Sequence, residues 1–469
     1  MSPTTPHVLL LSIPGLRPED LPRMPAVTRL AAAGNSVPLA PPFPAVTCPV
    51  QATLTTGAAP AAHEIVSNGL FDRGSRHLEM WISPDGVHRA PRIWDQLKQA
   101  RPDLRTAAWF LLQSKHATAD LVCLPAPKHN PDGTETMWCH TNPEPLYATL
   151  REKLGDFPLH KFWGPIAGIE SSRWIAQSFL EAAAGDPPHF ATVYLPHLDY
   201  AAQRTGPDSP PALAACAELD AEIALLVDGF SGLVGADNLV VLVAGEYRIR
   251  PVSHTLFPNR VLREAGLLAI RELEGGEILD LSASRAWALA DHQISHIYLQ
   301  DGGDHGLVAE IAGMFRGRAG VGRVLAGEEL VATGLAHSAV QGPTSRCGDI
   351  VIESTLDSWQ AYPYWLDDAR APSFARTVDI HRKPGYDPVE LHIDRAKLPA
   401  VSIPLDTSLV KGSHGAIDPR NPHETIFIAS RPGLVHAPLA MHEVAGIVQR
   451  IFGTSGETAW RQAKAYPTD

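Results

Sequence analysis

Paired cysteines are missing from this 469-residue sequence. The five present, Cys48, Cys123, Cys139, Cys216 and Cys347, are odd in number, scattered and free of any CxxC spacing. That pattern argues against a disulfide framework or a zinc ribbon and reads as reduced, cytosolic usage. Basic residues are in deficit: 39 Lys and Arg against 51 Asp and Glu give 39 − 51 = −12. Nucleic-acid polymers and anionic membrane surfaces want clustered Lys and Arg, so neither is expected as the main partner. A small phosphate-containing ligand stays open, because a metal site supplies local positive charge. No apolar run reaches transmembrane length. The start, Met1-Ser2-Pro3-Thr4-Thr5-Pro6, has no basic region and no long apolar segment behind it, so no signal peptide is expected and the cytoplasm is the default compartment. Internal repeats and low-complexity segments are absent.

What is present is ordinary for a globular protein: 45% hydrophobic and 19% charged residues, in a chain long enough for a large core and more than one lobe. Short apolar runs at Val8–Ser12, Ala107–Leu112, Phe190–Leu195, Leu239–Ala244 and Thr425–Ala429 read as buried parallel strands. Helical patterns fall between them, at Ala26–Gly34, Ile93–Gln99, Ser171–Ala184 and Leu213–Phe230. The alternation predicts an α/β fold with a doubly wound, mostly parallel sheet. Residues 250–405 are rich in turns and short strand-like pieces and read as an inserted, smaller α+β lobe; 1–250 and 405–469 form the core. The Pro-, His- and Trp-rich stretch 113–165 reads as long ordered loops. Pro14-Gly15, His197 with Asp199, and Glu246-Tyr247 each follow a predicted strand, where open α/β sheets bind ligands.

The run Phe43-Pro44-Ala45-Val46-Thr47-Cys48-Pro49, followed by Thr56-Gly57 and Ser67-Asn68-Gly69, sets a hydroxyl upstream of an amide donor. A threonine hydroxyl needs a base or metal to become a nucleophile, and a donor to hold the oxyanion that develops. The plainer readings are a helix-capping Thr47, for a helix beginning near Val50, and a turn Asn68. The spacing resembles the nucleophile region of the nucleotide pyrophosphatase/phosphodiesterase branch of the alkaline phosphatase superfamily. Phe157-Pro158, Phe162-Trp163-Gly164-Pro165 and Asn259-Arg260 resemble a divergent bacterial subgroup of that superfamily. The resemblance implies that Thr47 is phosphorylated and that Asn68 binds the phosphoryl oxygen. It also implies an alkaline phosphatase-like sheet and a bound divalent metal, zinc first, as one or two ions, with manganese or another metal as alternatives.

The ligand motifs implied by the resemblance are partly kept. Asp199 matches the first ligand of an Asp-x-x-x-His pair, and Gln203 stands where the His would be. Glu246 keeps a carboxylate, and Tyr247 replaces the next His; a tyrosine still donates a hydrogen bond to a phosphoryl oxygen. His414, in Gly412-Ser413-His414-Gly415, matches the last ligand and would grip the same ion as Asp199. Pro14 stands at an aspartate position and ligates nothing. His292 and His296, four apart, are a further candidate pair, with a hairpin bearing a buried His as the plainer reading. His197 is more simply a hydrogen-bonded residue at a strand end. The expected function is hydrolysis of a small-molecule phosphodiester or phosphomonoester by Thr47 with bound metal. The alternatives are a metal-poor relative that binds its ligand without hydrolysis, and a transferase.

Overall fold

A computed structural model describes residues 5–129, 135–273, 275–335, 345–399 and 401–454. The strand His7–Ile13 lies at the centre of the main sheet, with Leu9, Leu10 and Leu11 fully buried. It pairs in parallel with Phe190–Tyr194 on one side and Leu239–Gly245 on the other. Apolar side chains on both faces of such strands need cover on both faces, and helices supply it. Ile169–Ala183 and Pro210–Val234 are two of them, the second capped by the Ser209 side chain, which accepts from the Ala212 amide.

Among the described residues the sheet has nine strands, continuing through Thr106–Trp109, Leu121–Pro125 and Cys139–Asn142 at one side. At the other side lie Thr425–Ala429, Asn35–Ala40 and Leu439–Ala440. The sheet is mostly parallel, as the sequence predicts. Thr425–Ala429 is an exception: it runs antiparallel to Leu239–Gly245. The stretch 113–165 is also more regular than expected, holding two sheet strands and the helix Leu146–Leu154.

Register fixes the site. Ser12 lies opposite Tyr194, and Ile13 opposite Gly245. The three central strands therefore end level, and the residues that follow them, Pro14, His197 to Asp199, and Glu246-Tyr247, meet at one edge. Pro14-Gly15 is a turn with Gly15 in the left-handed region, at φ 76°.

A second, four-stranded antiparallel sheet is built from Ala286–Asp291, Ile294–Leu299, Ile350–Ser354 and Val321–Ala326. It has its own apolar core around Trp287, Tyr298 and Phe315, to which Phe71 contributes an edge contact on Trp287 at 4.9 Å. The chain leaves the main sheet through Arg250–Pro251 and returns through Gly412–Ser413, and these two segments pair with each other. Among the described residues no helix is long and apolar enough to cross a membrane.

Candidate active site

Thr47 opens the fully buried helix Thr47–Thr56. The residue before it, Val46, is extended and caps nothing with its side chain. The Thr47 hydroxyl is therefore not a helix cap; it lies 3.1 Å from the Tyr247 hydroxyl. The next amide, that of Cys48, donates to Asn68 Oδ1 at 2.9 Å. A helix start favours negative charge through its unpaired N–H groups and its dipole.

Asp199 sits in the first turn of the helix His197–Thr205. Tyr247 donates to its Oδ1 at 3.3 Å and Gln203 Nε2 to its Oδ2 at 2.7 Å. Gln203 Oε1 in turn accepts from the Tyr386 hydroxyl at 2.7 Å. Burial pushes the Asp199 carboxyl up to about 7, against the pull of the Gln203 and Tyr247 bonds. Burial, with Asp199 nearby, also holds the Tyr247 phenol well above its usual range, so it stays protonated. Its single hydrogen goes to Asp199, which leaves the Thr47 hydroxyl as donor to Tyr247.

Four rings form a column beside this network. Tyr247 stacks on His414 at 3.6 Å, His414 meets His292 at 3.8 Å, and His292 stacks on Tyr386 at 3.6 Å. His414 Nδ1 lies 2.8 Å from the Ala45 carbonyl. A carbonyl only accepts, so Nδ1 carries the hydrogen and Nε2 presents a bare lone pair. That buried Nε2 has no hydrogen-bond partner and lies 4.0 Å from Asp199 Oδ1. The loop bearing His414 approaches so closely that a Cβ on Gly412 would fall 2.2 Å from the Ala202 carbonyl oxygen.

Asp291 and Tyr386 are site residues that sequence reasoning missed. Asp291 accepts from the Asn68 amide at 2.7 Å and Asn68 Nδ2 at 2.9 Å, and holds His292 Nδ1 at 2.7 Å. Its adjacency to His292 was the available cue; Tyr386 had none. With Oδ1 taken by Cys48 and Nδ2 bonded to Asp291, Asn68 braces the start of the helix Thr47–Thr56 against the second sheet.

The structure brings Thr47, Asp199, Gln203, Tyr247, His292 and His414 together, with Asn68 bonded beside Thr47 through the Cys48 amide, and ties Glu246, His197 and His296 elsewhere. Glu246 Oε1 accepts from Ser12 Oγ at 2.6 Å and Gln51 Nε2 at 3.0 Å, while Oε2 is buried without a partner. Burial pushes this carboxyl up to about 8. His197 pairs with Glu218 at 2.7 Å on the neighbouring helix. His296 lies in a hairpin strand, its Nε2 3.0 Å from the Val66 carbonyl and its Nδ1 accepting from the Gly348 amide at 3.2 Å. Both of its nitrogens are spent, and it does not pair with His292, which occupies the hairpin turn at φ 60°.

The residues present do not fit a two-zinc centre. Catalytic zinc needs about three protein ligands per ion. Asp199 and His414 are close enough to share one ion, but their neighbours are a phenol and an amide that point hydrogens at Asp199. Among the described residues no three His, Cys, Asp or Glu side chains form a group able to hold a metal.

Thr47, Asp199, His292 and Tyr386 face a cleft of about 1790 Å³. Its walls carry Trp81, Trp138, Trp163 and Tyr200, with Lys115, Lys128 and Arg382 among them. Such a mixture suits a ligand with an apolar body and an anionic group.

The family model described as type I phosphodiesterase / nucleotide pyrophosphatase matches residues 8–387. An uncharacterized pyrophosphatase/phosphodiesterase of Schizosaccharomyces pombe is 24% identical over 261 residues, covering 52% of this chain and 45% of the relative. Human ectonucleotide pyrophosphatase/phosphodiesterase family member 1 is 22% identical over 235 residues, 49% of this chain and 22% of the relative. The matched region thus spans less than half the length of either curated relative. Phosphonoacetate hydrolase from Sinorhizobium meliloti, solved with phosphonoformate, superposes with a TM-score of 0.58 at 17% identity, covering 95% of this chain and 96% of that one. An inactive murine ectonucleotide pyrophosphatase/phosphodiesterase 5, solved with AMP, gives 0.59 at 14% identity, with 96% of each chain covered. These likenesses establish the alkaline phosphatase-like fold. With the family match running over most of its length, the chain belongs to the type I phosphodiesterase/nucleotide pyrophosphatase family of the alkaline phosphatase superfamily.

Proposed function

We propose that this protein hydrolyses small-molecule phosphoesters with Thr47 as the nucleophile. Family membership supports phosphoester hydrolysis as the class of reaction. The observation that carries the finer reading is the relay on the cleft floor: Thr47 Oγ1 lies 3.1 Å from the Tyr247 hydroxyl, which lies 3.3 Å from Asp199. Thr47 opens a helix, so the phosphoryl group it attacks meets the positive end of the helix dipole.

In the first half-reaction the Thr47 oxygen bonds to phosphorus. Its proton passes to the Tyr247 oxygen while the Tyr247 proton passes to Asp199. The phosphorus–oxygen bond to the leaving group breaks. In the second half-reaction water bonds to phosphorus and displaces Thr47, which recovers its proton from Asp199 through Tyr247. The leaving alkoxide takes up the proton that the water releases. The charged form of Asp199 is the acceptor, and the Gln203 bond holds it in place.

The test is hydrolysis of bis(p-nitrophenyl) phosphate and p-nitrophenyl phosphate by the full chain and by Thr47→Ala. Loss of the nucleophile lowers kcat by a factor on the order of 10³ or more, while circular dichroism stays native. A Thr47→Ala protein that turns over within a few-fold of wild type would overturn the assignment.

A further inference from the structure

Hydrolases of this family are metal-dependent, generally on divalent ions such as zinc. In this chain each carboxylate at the strand ends is met by hydrogen-bond donors instead. Asp199 has both oxygens occupied, Oδ1 by the Tyr247 hydroxyl and Oδ2 by the Gln203 amide. The Gln203 orientation is fixed from its other end, because its Oε1 accepts from Tyr386. Turning the amide would set its oxygen against a carboxylate. Glu246 Oε1 is taken by Ser12 and Gln51.

The strand ends are closed around Pro14. The Glu246 amide donates to the Ile13 carbonyl at 2.9 Å, and the Gly15 amide to the Tyr247 carbonyl at 3.1 Å. Proline contributes no side-chain ligand between them. His414 is walled by ring faces at 3.6 Å and 3.8 Å. Its Nε2 and Glu246 Oε2 remain buried without hydrogen-bond partners. Neither belongs to a group of three metal-ligating side chains among the described residues.

We infer that the site works without a divalent cation, with the Tyr247 hydroxyl and the Gln203 amide holding the Asp199 carboxylate where a metal would otherwise hold it. Fixed donors orient Asp199 as the proton acceptor, and the negative charge of the phosphoryl group is met by the helix start at Thr47. The catalytic part of this inference rests on the Thr47 reading; the metal-binding part does not.

The experiment measures metal content and activity separately on the full chain. Elemental analysis after incubation with zinc and desalting, together with calorimetric titration of zinc alone, reads binding. Bis(p-nitrophenyl) phosphate hydrolysis before and after 1,10-phenanthroline reads dependence. Wild type is expected to retain a small fraction of one zinc per chain and to lose less than about twofold in rate on chelation. The variant Pro14→Asp/Gln203→His/Glu246→Asp/Tyr247→His is expected to gain stoichiometric zinc, because it returns carboxylate and imidazole ligands to each position. Should it fail to fold, Gln203→His alone is expected to tighten zinc binding at least tenfold over wild type. Stoichiometric zinc on the wild type, or activity abolished by chelation and restored by zinc, would overturn the inference. A wild type without metal and without turnover would leave the binding half standing and remove the Thr47 reading.

Discussion

Tyr247 serves two purposes that an imidazole at its position would not combine. Its ring lies flat on His414, and its hydroxyl joins Thr47 to Asp199. Tyr247→Phe keeps the ring and removes the relay. It is expected to lower kcat on the order of 10²-fold or more, the usual share of proton transfer through a positioned group. Leaving Asp199 Oδ1 unsatisfied costs ~1–3 kcal/mol of stability as well. Steady-state kinetics and urea unfolding check the two effects; unchanged kcat with lowered stability would reduce Tyr247 to a packing role. Legibility at this scale was uneven. Thr47 and Asp199 stood in recognisable runs. Tyr386 comes from a stretch with no motif, and only the fold brings it to Gln203. Asp291 was visible beside His292, but its task, holding Asn68 by two bonds, depends on a contact across 223 residues of chain.

Among the elements, the helix Thr47–Thr56 is held from beneath as well as from its start. His63 bridges it to the following turn. Its Nδ1 accepts from the Ile65 amide at 3.1 Å, so Nε2 carries the hydrogen and donates to Thr53 Oγ1 at 3.0 Å. Burial, reinforced by Arg92, pushes the His63 imidazole down to about 3. The ordinary value is 6.5, so between about 3 and 6.5 the unfolded chain binds the extra proton. The stabilisation from neutral His63 is complete above about 6.5 and is lost as pH falls towards 3. Each such histidine contributes a slope of ~1.4 kcal/mol per pH unit inside that window. Urea unfolding of His63→Gln at pH 7 and pH 5 is expected to show a smaller acid loss than wild type. An equal loss in both would contradict the assignment of a neutral buried imidazole. The central strands and flanking helices were legible because burial on both faces leaves a short, uninterrupted apolar run. Strand direction was not: Thr425–Ala429 is as apolar as its parallel neighbours yet runs against Leu239–Gly245. Asn35–Ala40 went unread because Pro38 and alternating exposure mask a strand next to the sheet edge.

For the molecule as a whole, the site is assembled from both sheets. The main sheet delivers Asp199 and Tyr247, and the hairpin of the second delivers Asp291 and His292. Packing within the second sheet should therefore be felt at the chemistry. Trp287 is fully buried against Phe71 and Tyr298 in that core. Trp287→Ala is expected to cost ~3–5 kcal/mol and to lower kcat too, since the same strand carries Asp291. Chemical denaturation with parallel kinetics tests this, and an activity untouched by a large stability loss would separate the sheet from the site. The net charge of −12 gave no hint of the lysines and arginine on the cleft wall, because a total does not record placement. On the proposed mechanism Thr47 carries the phosphoryl group during turnover. Acid quenching of the full chain during bis(p-nitrophenyl) phosphate hydrolysis, followed by peptide mass spectrometry, reads it directly. A p-nitrophenyl phosphoryl adduct on Thr47, absent in Thr47→Ala, is expected; turnover with Thr47 unmodified at every quench time, or an adduct on another residue, would contradict it.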